Sequence, residues 1–197
     1  MSDLSPPPPP SPAEFTALVY REQGAIYGFL YGLVGNSEQA RDLTQDTFHD
    51  AWRGARRGEP PFVPGGSLQV IHRWLFQAAY HRAISLLRHS RLIRFESLEA
   101  SEEHDPERFG QPSSFESDIA EREMLHTSLA NLAPPDVACL LLRVVEGFSA
   151  AEAGEIIGAS PDNINKRLSR AKQRLRAAYL AQETLPQQVQ PRKDLRP

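Results

Sequence analysis

Residues 149–180 read SAAEAGEIIGASPDNINKRLSRAKQRLRAAYL, and their spacing decides the fold of the second half of the chain. Ser149 is suited to capping a first helix and Gly158 to ending it. Ser160 followed by Pro161 starts a second helix: the cap hydroxyl satisfies one orphan amide and the proline removes another. Beyond them Ile164, Leu168, Ala171, Leu175 and Ala178 recur at spacings of four and three, which is one helical face. Lys166, Arg167, Arg170, Lys172, Arg174 and Arg176 stand between them, and from Ser160 to Leu180 the single acid is Asp162. A helix, a turn and a basic second helix form the arrangement that lays its second helix in a DNA major groove. The same spacing also suits an amphipathic helix whose basic side is merely solvated. The rest of the chain has to decide.

Charge is laid out in blocks. The net charge over 197 residues is −3, which argues against a protein that coats nucleic acid indiscriminately. His72–Arg94 holds five arginines (73, 82, 88, 91 and 94) and no acid, whereas Phe95–Glu123 holds ten acids against Arg108 and Arg122. Two basic surfaces separated by an acidic connector predict two separate contacts with a polyanion. Cys139, alone in the run VACLLL, excludes an intrachain disulfide and reads as the buried thiol of a cytoplasmic protein. The opening MSDLSPPPPPSPAEF lacks the basic start and apolar core of a signal peptide, and no apolar run reaches membrane-spanning length. No membrane insertion is expected. The six histidines show no HExxH-type spacing, the cysteine has no metal-ligand company, and no glycine-rich phosphate loop is present. Neither a catalytic residue nor a metal or cofactor is expected.

The periodicity predicts an all-α chain of two small helical domains joined by an acidic flexible linker. Residues 1–13, with five consecutive prolines, form an expected disordered tail. A first helix is predicted from Glu14 to Leu33, weakened by Gly24, Gly28 and Gly32. After the turn at Gly35-Asn36, Ser37 is the expected cap of a second helix to about Arg53. Phe48 and Ala51 lie inward on it, and Glu38, Asp42, Asp46 and Asp50 outward. Pro60, Pro61, Pro64, Gly65 and Gly66 break any continuous helix over 58–70. A third helix is expected from Gln69 to about Arg88, with Trp74, Leu75, Ala78, Ile84 and Leu87 as core candidates, closing a domain at 14–95. Residues 96–122 read as the linker. Four helices follow within 123–182, at Glu123–Leu132, Pro135–Glu146, Ser149–Ile157 and Pro161–Leu180, with Leu125, Leu129, Val137, Leu140, Leu141 and Val144 among their core candidates. Residues 183–197 return to Pro and Gln and are an expected tail.

Three segments in this order resemble one family, the extracytoplasmic-function group of the sigma-70 sigma factors of bacterial RNA polymerase. LVGNSEQARDLTQDTFHDAW (33–52) resembles its "D-L-x-Q-E-x-F…A-W" helix, with Asp46 where Glu is usual. RWLFQAAYHRAISLLR (73–88) resembles "W-L-x-x-I-A-x-N-x-A-x-D-x-L-R", with His81 and Ser85 in place of Asn and Asp. Residues 129–176 resemble the family's second-domain motif. Val137 stands near the position of its expected arginine, Ala153-Gly154 replaces Ile-Ala, and Asp162-Asn163-Ile164-Asn165-Lys166 replaces Gly-Thr-Val-Lys-Ser. The departures spare the apolar framework and fall on surfaces that would meet DNA.

The resemblance implies a region 2-like domain at 14–95, a region 4-like helix-turn-helix domain at 123–182, and a non-catalytic specificity subunit that binds core RNA polymerase and promoter DNA. Asp42, Gln45 and Asp46 would then dock on the polymerase. Phe62, in the Pro/Gly loop, with Arg73, His81, Arg82, Arg88 and Arg91 would meet the −10 element, where an irregular loop accepts a flipped base. On the last helix Asn163, Lys166, Arg167 and Arg170 would read the −35 element, with Lys172 and Arg174 on phosphates. An anti-sigma factor is a further partner the resemblance leaves open. The competing reading is a helix-turn-helix regulator that never engages the polymerase. It would need a sensor or dimerisation domain, and the first half offers neither a ligand-pocket pattern nor a heptad repeat.

Overall fold

The computed structural model describes residues 11–63, 66–96 and 124–183, and among them every regular element is a helix. In chain order these are α1 (Pro12–Val34), α2 (Ser37–Arg57), α3 (Leu68–Glu96), α4 (124–130), α5 (Pro134–Leu140), α6 (Ala150–Ile157) and α7 (Pro161–Glu183). All but the first residue of the expected linker, most of the leading tail and all but the first residue of the trailing tail lie outside the described residues.

Local chemistry explains the boundaries. Ser11 and Glu14 form a capping box with Pro12 in the first turn, so α1 begins two residues before the expected start. It runs unbroken through its three glycines because Ile26, Phe29, Leu30 and Leu33 are buried along one side. The second helix is capped by Asn36, whose Oδ1 accepts from the Gln39 amide at 2.9 Å, so Ser37 is its first residue and not its cap. Helix α3 continues to Glu96, well past Arg88.

Helices α1, α2 and α3 pack together around Ile26, Phe29, Phe48, Ala51, Leu75 and Phe76. Helices α5, α6 and α7 close around Val137, Leu142, Ile156, Ile164 and Ala171. Two expected core residues are exposed, Leu125 (44 %) and Val144 (57 %). The cause at Val144 is a π turn over Leu141–Val145, seen in the Glu146 amide donating to the Leu141 carbonyl at 3.0 Å. One extra residue in the turn rotates the register, so Leu142 takes the buried position and Val144 turns outward. The buried side of the segment around α4 passes through Ser128 and Leu132, leaving Leu125 outside.

The halves also touch each other. Phe148 stacks on His72 at 5.2 Å and meets Phe76 edge-on at 5.2 Å, and Tyr31 stacks on His126 at 4.9 Å. Leu141 fills the notch left by Gly32, where a Cβ would come within 2.7 Å of its Cδ1. Glycine there, costly to the helix, lets the second half approach α1.

Candidate nucleic-acid and polymerase-binding surfaces

The α6–α7 unit is set by its turn. Ser149 and Glu152 make a reciprocal capping box on α6, and Gly158 ends it in the left-handed region at φ 78°. Gly154 matters as much: a Cβ there would lie 2.5 Å from the Ala159 carbonyl oxygen, so no larger residue lets the turn close as it does. Ser160 Oγ accepts from the Asn163 amide at 3.3 Å, which occupies one of the amides an incoming phosphate would need.

Ile164 and Ala171 are fully buried and Leu168 and Leu175 half-buried, so α7 has one inner side. Asn163, Lys166, Arg170 and Gln173, at spacings of three and four, are all exposed. Asn165, Ser169, Lys172 and Arg176 form a second exposed row beside them. Arg167 and Arg174 turn to the other flank, where Nη1 of Arg167 donates to Asp136 Oδ1 at 2.9 Å and Nη1 of Arg174 to Asp136 Oδ2 at 3.3 Å. Asp136, in the first turn of α5, is 7 % exposed. Sequence reasoning passed over this acid and over Gln173. No signal in the sequence singles out Asp136 from Glu146, Glu152, Glu155 and Asp162 in the same domain.

In the first half, Phe62 is 5 % exposed, edge-on to Trp74 at 5.0 Å and against Gly54. An open cleft of about 320 Å³ lies over Leu43, Arg82 and His89, and another of about 520 Å³ lies between the loop at Pro60–Pro61, Arg73 and Trp74 of α3, and Glu155 of α6. Arg73 Nη1 is 3.1 Å from the Glu155 carboxylate, and Gln77 Nε2 donates to the Glu155 carbonyl at 3.4 Å. His81 and Arg88 are exposed. The side chain of Arg91 lies outside the described residues. Arg82 binds Asp46 at 3.1 Å and also Asp50, so it bridges α3 to α2. Asp42, Gln45 and Asp46 are exposed on α2, while Phe48 is core.

A third charged group lies where the halves meet. Glu22 is buried and accepts from Arg21 at 2.7 Å and from the His72 ring at 2.6 Å. Burial pushes its carboxyl up, but the hydrogen bonds and charges of Arg21 and His72 outweigh that and hold it below the ordinary glutamate value. Glu146, from the second half, is pushed up, chiefly by burial.

The comparisons fall on the same two units. The family model "Sigma-70 region 2" matches residues 18–92 and "Sigma-70, region 4" matches residues 122–175. RNA polymerase sigma factor CarQ of Myxococcus xanthus is 32 % identical over 164 residues, covering 82 % of this chain and 87 % of that protein. ECF RNA polymerase sigma factor SigE of Mycolicibacterium smegmatis is 28 % identical over 85 % of this chain, which spans 62 % of that relative's length. The solved sigma factor RpoE of Bartonella quintana, in complex with the anti-sigma factor NepR, superposes over 83 % of this chain and 95 % of its own with a TM-score of 0.66. At 24 % identity it speaks for the fold alone. Two family domains in the expected order, together with a relative matched along most of both lengths, settle the kinship: the chain belongs to the extracytoplasmic-function group of sigma-70 RNA polymerase sigma factors.

Proposed function

We propose that this chain, as a non-catalytic specificity subunit, directs core RNA polymerase to promoters whose −35 element is read by α7 and whose −10 element meets α3 and the loop before it. The observation that carries the reading is the exposed row Asn163, Lys166, Arg170 on a helix whose opposite side is buried. Early residues of a recognition helix reach base edges, and Lys172 behind them is suited to a phosphate. On α3, Arg73, His81 and Arg88 supply donors for the −10 region. Phe62 and Arg82 join them only if released from Trp74 and from Asp46 and Asp50. Asp42, Gln45 and Asp46 give α2 an acidic surface that suits a basic helix of the polymerase. The RpoE relative was solved with an anti-sigma factor, and the same class of partner is proposed here. A cytoplasmic location goes with that proposed work on core polymerase; among the described residues no helix is long and apolar enough to cross a membrane.

Reading both elements requires the halves to part. Their names set them about 25 base pairs apart, roughly 85 Å at the duplex rise, whereas α3 and α6 touch in the closed molecule. A stretch of the length of residues 97–123 can span at most about 97 Å. The test is run-off transcription with core enzyme on a genomic promoter pool. Discrete start sites that vanish without this chain are expected. Specific DNA binding with neither association with core enzyme nor transcription would leave the regulator reading in its place.

A further inference from the structure

We propose that Asp136 is a positioning residue that withholds Arg167 and Arg174 from DNA and so confines α7 to a narrow reading stripe. The proposal rests on the reading of α7 as the −35 recognition helix. It starts from geometry. Arg167 and Arg174 are two helical turns apart, so both project from one flank of α7. A single carboxylate lies between them, each oxygen taking a different guanidinium, at 2.9 and 3.3 Å. The Asp136 side chain is only 10 % exposed, while those of Arg167 and Arg174 are 36 % and 61 % exposed. The acid is thus the fixed member, and the arginines come to it.

The consequence is a division of labour among six cations. A buried carboxylate holding two arginines leaves Lys166 and Arg170 on the central stripe, and Lys172 and Arg176 on the far flank, as the exposed cations of α7 outside any ion pair among the described residues. An arginine is the side chain most able to grip a phosphate in any sequence context, because its forked donors match the anion whatever base follows. Two unrestrained arginines beside the stripe would strengthen binding to every duplex alike. Held on α5, they keep sequence-blind affinity low and leave discrimination to Asn163, Lys166 and Arg170.

The experiment uses the full chain assembled with core polymerase. Its binding to a labelled promoter duplex and to the same duplex with a scrambled −35 element is measured across a salt series. Asp136→Asn keeps the shape and removes the charge. The salt slope on both duplexes should steepen by between about one and two, roughly 0.9 per phosphate gained. The preference for the intact −35 element should fall several-fold. Asp136→Glu should restore both. Adding Arg167→Gln and Arg174→Gln to Asp136→Asn should cancel the steepening, which a merely structural defect would not do. Should Asp136→Asn fail to fold, Arg167→Gln/Arg174→Gln alone decides, because its salt slope should match the parent's, and a loss of about two would place both arginines on phosphates and overturn the proposal. Unchanged slope and preference in folded Asp136→Asn would overturn it equally. If the parent holoenzyme shows no −35 preference, the assignment of α7 itself falls, a result distinct from either.

Discussion

The α2–α3 face and the α5–α7 face are built from the same parts with the signs exchanged. On the first, one arginine, Arg82, is shared by two acids, Asp46 and Asp50. On the second, one acid, Asp136, is shared by two arginines. The first triad therefore leaves a negative excess on α2 and the second a positive excess on α7, the signs that suit a basic protein helix and DNA respectively. Burial differs too. Asp46 and Asp50 are 58 % and 42 % exposed, against 10 % for Asp136. A shared charge in water trims a surface, whereas a shared charge out of water fixes where its partners can go.

The hardest way to break this comparison is to remove the central charge from each side. Asp136→Ala leaves Arg167 half-buried without a partner and should destabilise the protein by about 2–3 kcal/mol, less than a fully buried pair because Arg174 can swing into water. Asp46→Ala and Asp50→Ala should each cost less than about 1 kcal/mol. Denaturant unfolding followed by circular dichroism measures all three. Equal losses would show that burial does not separate the two faces.

Sign can be tested apart from stability. Asp42→Lys with Asp46→Lys turns the excess on α2 positive and should weaken association with core polymerase about tenfold, a change of about 1.4 kcal/mol. The helical signal should stay intact. A titration at moderate salt that gives the parent affinity would remove this face from the polymerase contact.

Most of the architecture was legible in the sequence because caps, breaks and apolar spacing act locally. Ser149, Gly158, Ser160 and Pro161 mark their helix ends by their own chemistry. What escaped was non-local. The π turn at Leu141–Val145 shifts register in a run of leucines and valines whose spacing is that of ordinary helix, so Val144 turns outward where that spacing puts it inward. The site was less legible than the fold for a similar reason. A cation in a sequence looks free, and only the structure brings Asp136 to Arg167, Glu155 to Arg73 and two acids to Arg82. Phe62 looked available in a Pro/Gly loop, but Trp74, twelve residues on, covers it.

The meeting point of the halves adds a pH handle to the comparison. Glu22 has a folded pKa below its ordinary 4.5, so the stability it contributes is complete above that value and is lost as pH falls through the lowered one. Glu22→Gln should flatten the acid limb of a stability–pH curve. An acid limb as steep as the parent's would assign it to other carboxylates.

The smallest effect expected concerns a salt bridge between the halves. Arg73 and Glu155, with side chains 32 % and 60 % exposed, balance one to one and leave no excess of either sign. In water such a pair is worth less than about 1 kcal/mol, so Glu155→Gln should leave the unfolding midpoint nearly unchanged. Its effect should appear on DNA instead. If Arg73 meets the −10 phosphates as proposed, Glu155 occupies the guanidinium they need, and the pair has to break before Arg73 can reach them. With the competing carboxylate gone, open complexes, followed by permanganate reactivity of the melted strand, should persist to somewhat higher salt, by less than about fivefold in the equilibrium. Arg73→Ala should act in the opposite sense and lower the salt slope by about one. If Glu155→Gln matches the parent at every salt concentration while Arg73→Ala does not, then the closed contact is held by the packing of Phe148, Leu141 and His126 and by the Gln77 hydrogen bond, and the charge pair merely fills a gap between surfaces already brought together.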